Sequence, residues 1–291
     1  MKEVWKKRGV FNCKRSQVTI FVILGILIVA GLATFLTFRS TNNKVIISGT
    51  NIDPDIKPIN NFVTECVRTV GNDAIYQIGK TGGFVVPPEP KMNFDEISDE
   101  GLAFYLYDKG YRINDSSSSI VPSLPGPATP TEELIEKENL MPSKENMEDE
   151  LSKYMDSFIY FCINDFKNFP DFNVTSGEAR TTAVIENGKV SFLVNYPLQI
   201  SKGEKTYSIR DFEAVIPVRL NEIHSLITEL MTKQMEKQDA ICMSCLTNLS
   251  NKYDMKIKMT NSKEGIVFGI LDEKSKIKNA DYLFYFANKY D

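Results

Sequence analysis

A run of 21 residues without a charge, from Val18 to Phe38, places the strongest constraint on how this chain can fold. An α-helix rises about 1.5 Å per residue, so a helix of this length would cross a hydrocarbon core of about 30 Å. The hydroxyl groups of Thr19, Thr34 and Thr37 can bond to a carbonyl one turn back. The run therefore predicts a transmembrane helix, and the lipid bilayer is the first partner that the sequence implies.

The charges on the two sides of this run predict its orientation. Residues 1–17 contain six lysines and arginines against one acidic residue, a net charge of +5. The residues after Phe38 contain 28 against 37, a net charge of −9. Because basic flanks stay in the cytoplasm, we expect the N-terminus inside the cell membrane and the C-terminal domain outside it. An acidic domain lacks the basic surface of nucleic-acid binders, so nucleic acid is not an expected partner.

The stretch KRSQVTIF, residues 14–21, resembles the archaeal class III (type IV pilin-like) signal. Phe21 stands where that signal usually has an acidic residue. The resemblance implies that a peptidase recognises Arg15, Ser16 and Gln17 and cuts just before Gln17. The helix then serves as an anchor or a filament core. The start of the chain is also similar to those of uncharacterised archaeal single-pass membrane proteins. That similarity implies an archaeal membrane protein and carries no known activity.

Composition divides the chain into successive parts. A basic cytoplasmic head (1–17) and the transmembrane helix (18–38) lead into a polar, proline-containing juxtamembrane connector (39–60). Residues 61–291 are predicted to form one ectodomain. A Ser/Pro-rich stretch at 114–130 cannot build a core, so it should be an exposed loop of that domain.

Apolar residues at a spacing of three and four predict three helices in the ectodomain, at about 62–78, 144–169 and 222–253. The end of the first is marked by Gly79 and then by Gly82-Gly83. The apolar stripe of the second helix is interpreted as core. It comprises Leu151, Tyr154, Met155, Phe158, Ile159, Cys162, Ile163 and Phe166.

Alternation with a period of two predicts strands in the rest of the ectodomain. Asn187-Gly188 between apolar runs is the strongest short hairpin signal, and a second hairpin is centred on Gly203. Helices and strands do not alternate regularly, so the predicted class is α+β with antiparallel pairing. The predicted strands are 84–86, 103–107, 181–185, 190–196, 198–202, 205–209, 212–220, 255–259, 265–271 and 282–287.

Four of the five cysteines, Cys66, Cys162, Cys242 and Cys245, would lie outside the membrane, where disulfides persist. Cys66 and Cys162 each follow a phenylalanine by one helical turn, so their helices could pack face to face and be bridged. The expected pairing is Cys66 with Cys162 and Cys242 with Cys245. Two alternatives remain for these residues. One is zinc held by all four thiolates, and the other is redox chemistry at Cys242-Met-Ser-Cys245. Thioredoxin-like redox chemistry needs a pair at the start of a helix within a βαβ context, whereas this pair is predicted inside the third helix.

Other candidate chemistry is sparse. His224 is the only histidine, and no Gly-x-Ser-x-Gly surrounds a serine, so no catalytic, cofactor-binding or metal-binding residue is predicted and no cofactor is expected. The abundant carboxylates are interpreted as solvated. Glycosylation sequons occur at Asn114, Asn173 and Asn248.

The sequence thus predicts a membrane-anchored extracytoplasmic binding or envelope-structural protein without catalytic activity. Its expected partners, besides lipid, are proteins of the cell envelope, or further copies of the chain associating through the transmembrane helix. The alternatives are a pilin-like subunit of a surface filament and an envelope thiol oxidoreductase or hydrolase.

Overall fold

The computed structural model describes residues 52–108, 137–238 and 240–290. The chain separates into two units, Met1–Thr50 and Asn51–Asp291, and the described residues all belong to the second. The predicted transmembrane helix and the Ser/Pro-rich loop (114–130) lie outside them. Of the helices that are described, none is both long and apolar enough to cross a membrane.

The described residues form helices and strands in an order that confirms the α+β class. The helices are α1 (Lys57–Thr81), α2 (Lys144–Ile163), α3 (Leu220–Glu236) and α4 (Met243–Tyr253), with a 3-10 turn at Asn164–Phe166 after α2. The strands are β1 (Lys91–Phe94), β2 (Ser98–Asp108), β3 (Lys137–Asn139), β4 (Asn173–Ser176), β5 (Arg180–Glu186), β6 (Lys189–Lys202), β7 (Lys205–Ile216), β8 (Lys256–Asn261), β9 (Ile266–Ile277) and β10 (Ala280–Asn288).

These strands make two sheets. The larger has the order β1-β2-β10-β9-β8, with β3 paired to the last residues of β2. In the smaller, β6 pairs along its length with β7 and, in succession, with β5 and β4. The predicted antiparallel pairing holds for every described pair of strands except β2 with β10, which is parallel.

The two hairpins of the smaller sheet form where the sequence predicts them. Glu186 pairs with Lys189 across Asn187-Gly188, and Lys202 pairs with Lys205 across the second turn. Gly188 and Gly203 have φ values of 72° and 61°, which glycine adopts without steric cost. The buried apolar residues of β6 alternate as the period of two requires: Val190, Phe192, Val194, Tyr196, Leu198 and Ile200.

Several predicted boundaries are wrong. Helix α1 begins at Lys57, inside the predicted connector, because Pro58 is tolerated in a first turn whose N–H groups have no partner within the helix. Residues 84–86 form no strand. Side chains anchor them instead, since Glu150 accepts from the Val85 N–H at 2.7 Å. Strand β1 forms further on, where the sequence predicts no strand, and β7 runs unbroken to Ile216 and stops before Pro217.

Helix α1 is the element around which the two sheets assemble. It packs against β7 of the smaller sheet and against β2 and β10 of the larger one. Glycines allow this approach on two sides. A Cβ at Gly71 would lie 2.8 Å from Ile216 Cδ1, and one at Gly79 would lie 2.8 Å from the Leu283 carbonyl oxygen and 2.9 Å from the Tyr282 hydroxyl. That hydroxyl donates to the Ile75 carbonyl at 3.0 Å.

A disulfide fastens α2 to α1, as the sequence predicts. Cys66 bonds to Cys162 with a Cα–Cα distance of 5.6 Å. Phe62, one turn before Cys66, packs edge-on against Phe166 and Phe169, so the start of α1 lies beside the end of α2 and the two helices are antiparallel. Cys66 is only 2% exposed and belongs to the core, against which the partly buried Cys162 packs.

A buried ion pair fixes the start of α3. The carboxylate of Asp272 on β9 is fully buried and accepts from the Arg219 guanidinium at 2.6 Å and from the Ser275 hydroxyl. Burial alone would raise the pKa of Asp272, but the bonds from Arg219 and Ser275 outweigh it and hold that pKa below its ordinary value. Arg219 also donates to the Tyr253 and Asp254 carbonyls at the end of α4.

We expect Gly79→Ala to lower the free energy of unfolding by about 1 kcal/mol. Overpacking a core typically costs about 2 kcal/mol, and alanine in place of glycine returns about 1 kcal/mol of helix stability. Gly71→Ala should cost a similar amount, because its added Cβ would lie 2.8 Å from Ile216 Cδ1 and 2.9 Å from the ring of the fully buried Phe192. Urea unfolding of the detergent-solubilised chain, followed by circular dichroism, measures both variants. A Gly79→Ala variant as stable as the wild type would contradict the close contact.

Removal of the Cys66–Cys162 bond should be the more damaging of the two disulfide deletions. The bond closes a loop with a sequence separation of 96, for which chain entropy predicts a loss of about 4–5 kcal/mol in the Cys66→Ala/Cys162→Ala variant. The matched Cys242→Ala/Cys245→Ala variant opens a loop with a separation of 3 and should lose about 2 kcal/mol by the same relation. Equal shifts of the urea midpoint would contradict this ranking.

Candidate functional site

The predicted third helix, 222–253, is two helices, and this correction changes the setting of the Cys242-Met-Ser-Cys245 motif. Helix α3 ends at Glu236 and α4 begins at Met243. The motif therefore stands at the start of α4, where the sequence interpretation had placed it in a helix interior. The pair thus meets one of the two conditions for thioredoxin-like chemistry, the helix start, but not the other, because α4 follows α3 and not a strand.

A buried glutamine explains why the helix breaks without a glycine or proline. Gln234 is 1% exposed, and its side-chain amide donates to the carbonyls of Lys237 and Ala240, both at 2.8 Å. These bonds satisfy backbone acceptors at the end of α3 that no longer have helical partners. A glutamine in the apolar face of the predicted helix was the only signal of this turn.

Cys242 and Cys245 are bonded to each other at the head of α4, with a Cα–Cα distance of 5.2 Å. Cys242 is the N-cap residue, and its Sγ accepts from the Cys245 backbone N–H at 3.3 Å. The Ser244 hydroxyl lies 3.6 Å from the same sulfur. Both cysteines are half-buried, while Met243 between them is 59% exposed. The arrangement presents a disulfide at the protein surface beside an exposed apolar side chain.

A second feature of the surface is a row of aromatic rings on α2, formed by Tyr154, Phe158 and Phe161, which we call the aromatic face. The rings of Tyr154 and Phe158 stack at 4.4 Å between centroids, and those of Phe158 and Phe161 lie 6.0 Å apart. Phe158 is 41% and Phe161 78% exposed. The core interpretation of the α2 stripe is therefore wrong at Phe158, which the neighbouring α1 does not cover.

Charged and polar groups border one end of the aromatic face. Lys278 forms an ion pair with Asp73 at 2.8 Å and lies 4.6 Å above the ring of Tyr76. Burial, with a smaller effect from the charge of Asp73, raises the pKa of Tyr154. Tyr154 thus joins the exposed phenylalanines to a polar border contributed by α1 and the β9–β10 turn.

Sequence reasoning missed a buried carboxylate at the end of β2. Asp108 accepts from Lys137 at 3.0 Å and from Lys289 at 2.6 Å, and the Lys137 side chain is 1% exposed. Burial raises the pKa of Asp108, but the bonds from Lys289 and Lys137 outweigh it and lower the pKa overall. Together with Asp272, Asp108 corrects the interpretation of the carboxylates as solvated. The Asp108 ion pairs join β2 to β3 and to the residue that follows β10, and the Asp272 ion pair joins β9 to the start of α3. Both roles are structural.

The remaining predicted residues do not gather at one place. His224 Nε2 lies 3.1 Å from the Pro142 carbonyl oxygen, a contact that joins α3 to the segment before α2. Asn173 on β4 and Asn248 on α4 are exposed, as a glycosylation acceptor must be. The predicted processing residues Arg15, Ser16 and Gln17 and the sequon at Asn114 lie outside the described residues.

Zinc would require the four outer cysteines to meet. They instead form two pairs on separate elements, one between α1 and α2 and the other at α4. Across residues 52–108, 137–238 and 240–290, no three side chains of histidine, cysteine, aspartate or glutamate are grouped to hold a metal ion.

The chemistry of the described surface is thus of two kinds. The aromatic face can bind an apolar partner, and the disulfide at the head of α4 can react with a thiol. In comparisons with known proteins, no protein-family model, no curated protein and no solved structure matches the chain.

Proposed function

We propose that the chain is a membrane-anchored, extracytoplasmic binding protein without catalytic activity, and that the aromatic face is its binding surface. The exposure of Phe161, at 78%, together with the neighbouring Phe158, is the observation that carries this proposal. Burying a phenylalanine side chain stabilises a complex by about 1.5–3 kcal/mol. Contiguous exposed apolar groups bordered by polar ones are typical of interaction sites.

A protein fits this surface better than a lipid headgroup layer does. Protein interfaces combine an aromatic centre with a polar border, which is the arrangement formed by the aromatic face and the Asp73–Lys278 pair. The chain beyond Phe38 has a net charge of −9, and an acidic domain is repelled by anionic membranes. We therefore assign the aromatic face to a protein of the cell envelope that offers an apolar patch.

The extracytoplasmic location rests on two independent arguments. The basic head before Val18 favours a cytoplasmic N-terminus and an outer C-terminal domain. The two disulfides are consistent with an oxidising compartment, because thiols stay reduced in most cytosols.

The pilin-like alternative rests on the residues before Val18. It differs from the main proposal in the role that it gives to the Val18–Phe38 segment. In a filament, the Val18–Phe38 helix would pack against copies of itself and the aromatic face would serve subunit contacts. In the proposed anchor, the same helix contacts lipid or associates with few copies, and the aromatic face stays available to another protein.

A photocrosslinking amino acid at position 161 of the full-length chain tests the binding surface in the native membrane. We expect one protein adduct of defined mass, because the side chain at this position projects from the aromatic face. A probe at Leu193 is the matched control, since that residue is 44% exposed on β6 of the smaller sheet. The adduct should form at 161 and not at 193.

A second variant separates specific binding from random collision. Phe158→Asp should reduce the adduct at 161 at least tenfold by interrupting the apolar surface, whereas Leu193→Asp should leave it unchanged. An adduct with the mass of a second copy of the chain would favour the filament alternative over the proposed partner. Adducts with lipid alone, or equal adducts at 161 and 193, would contradict the proposal.

A further inference from the structure

The two disulfides differ in how far the fold depends on them. Cys66 is 2% exposed and joins α1 to α2 across a sequence separation of 96. The Cys242–Cys245 bond spans a separation of only 3, so it restricts the unfolded chain far less. The turn that precedes it is already held by Gln234, whose amide binds the Lys237 and Ala240 carbonyls. The shape of this segment therefore has a support other than the disulfide.

The two disulfides also differ in access. Cys242 and Cys245 are half-buried at the head of α4, and Met243 and Ser244 between them are exposed. A thiol on another protein can approach either sulfur of the Cys242–Cys245 bond. In the Cys66–Cys162 bond only Cys162 is partly exposed, and Cys66, which is 2% exposed, cannot be reached without separating α1 from α2. The 59% exposure of Met243 adds an apolar contact for an incoming chain directly beside the reactive atoms.

Local geometry makes the two sulfurs of the pair unequal. Cys242 Sγ receives the Cys245 N–H at 3.3 Å and has the Ser244 hydroxyl 3.6 Å away. It also stands at the N-terminus of an 11-residue helix, where the aligned peptide dipoles favour negative charge. These groups stabilise the thiolate of Cys242 when the bond is open, and thiolates are the reactive and the readily released form of cysteine.

We propose that Cys242–Cys245 is a thiol–disulfide exchange site that acts on cysteine pairs of other extracytoplasmic proteins. A substrate thiolate attacks Cys242 Sγ, the Cys242–Cys245 bond breaks, and Cys245 leaves as a thiolate that takes up a proton. The second substrate thiolate then attacks the substrate sulfur of the mixed disulfide and releases Cys242 as a thiolate. Two electrons pass from the substrate dithiol to the cysteine pair, and the substrate gains the disulfide. This activity would make the chain a thiol oxidoreductase as well as a binding protein, so it replaces the part of the proposed function that excludes catalysis. It does not depend on which protein occupies the aromatic face.

The first experiment follows transfer of the disulfide from the full-length chain, in detergent, to a reduced peptide with two cysteines. We expect the peptide to become oxidised while two thiols appear on the chain at Cys242 and Cys245, as mapped by alkylation and mass spectrometry. Cys66 and Cys162 should stay bonded under the same conditions. If Cys66–Cys162 is reduced first, or the peptide stays reduced, the proposal is wrong.

The second experiment compares single thiols in a Cys13→Ser background, so that the cytoplasmic cysteine does not contribute. Cys245→Ala leaves the Cys242 thiol, Cys242→Ala leaves the Cys245 thiol, and Cys162→Ala leaves the buried Cys66 thiol as the matched control. At pH 6, we expect the Cys242 thiol to react with oxidised glutathione at least tenfold faster than either of the others. Rates that are equal for Cys242 and Cys245, or highest for Cys66, would overturn the assigned roles.

Discussion

The close approach of helix α1 to both sheets is the constraint on which the described fold depends. Glycine at position 71 lets β6 and β7 reach the helix on one side, and glycine at position 79 lets β10 reach it on the other. The Tyr282 hydroxyl, bonded to the Ile75 carbonyl, shows how little space separates helix from sheet. Each sheet contacts α1 more extensively than it contacts the other sheet. The position of one sheet relative to the other therefore depends on α1.

The two surface features are consequences of this arrangement. Helix α2 packs along α1 and is locked to it by Cys66–Cys162, so the side of α2 that α1 does not cover is exposed with its phenylalanines. Helix α4 is held in place by contacts with α3 and with the start of that helix. Arg219 binds the Asp272 carboxylate on β9 and the carbonyls at the end of α4, and the Tyr253 hydroxyl donates to Glu229 on α3 at 2.6 Å. A rigid α4 holds the disulfide at its head in a fixed place.

Local signals in the sequence predicted the parts of the fold that local physics determines. Asn187-Gly188 permits only a narrow set of turns, and the alternation in β6 leaves one face to bury, so the first hairpin follows from its own residues. The Cys66–Cys162 pairing also followed from local spacing, because each cysteine lies on the apolar face of an amphipathic helix.

Features that depend on distant residues could not be predicted in this way. Arg219 and Asp272 are 53 residues apart, and nothing near either of them indicates that the carboxylate is buried. The break after α3 depends on a side chain, Gln234, that competes with helical bonding only because it is enclosed. Phe158 matched the core pattern of α2 perfectly well. The exposure of Phe158 depends on how far α1 extends over α2. This is decided by packing between the two helices, and the residues of neither helix indicate it.

We propose that the C-terminal domain lies outside the cytoplasm and is stabilised there by the Cys66–Cys162 bond between α1 and α2. To test this, free thiols are blocked in intact cells with a membrane-permeable alkylating agent, and the cysteine peptides of the full-length protein are then mapped without reduction. We expect Cys66 linked to Cys162, with Cys13 alkylated. Alkylated Cys66 and Cys162, or Cys66 joined to Cys242 or Cys245, would contradict it.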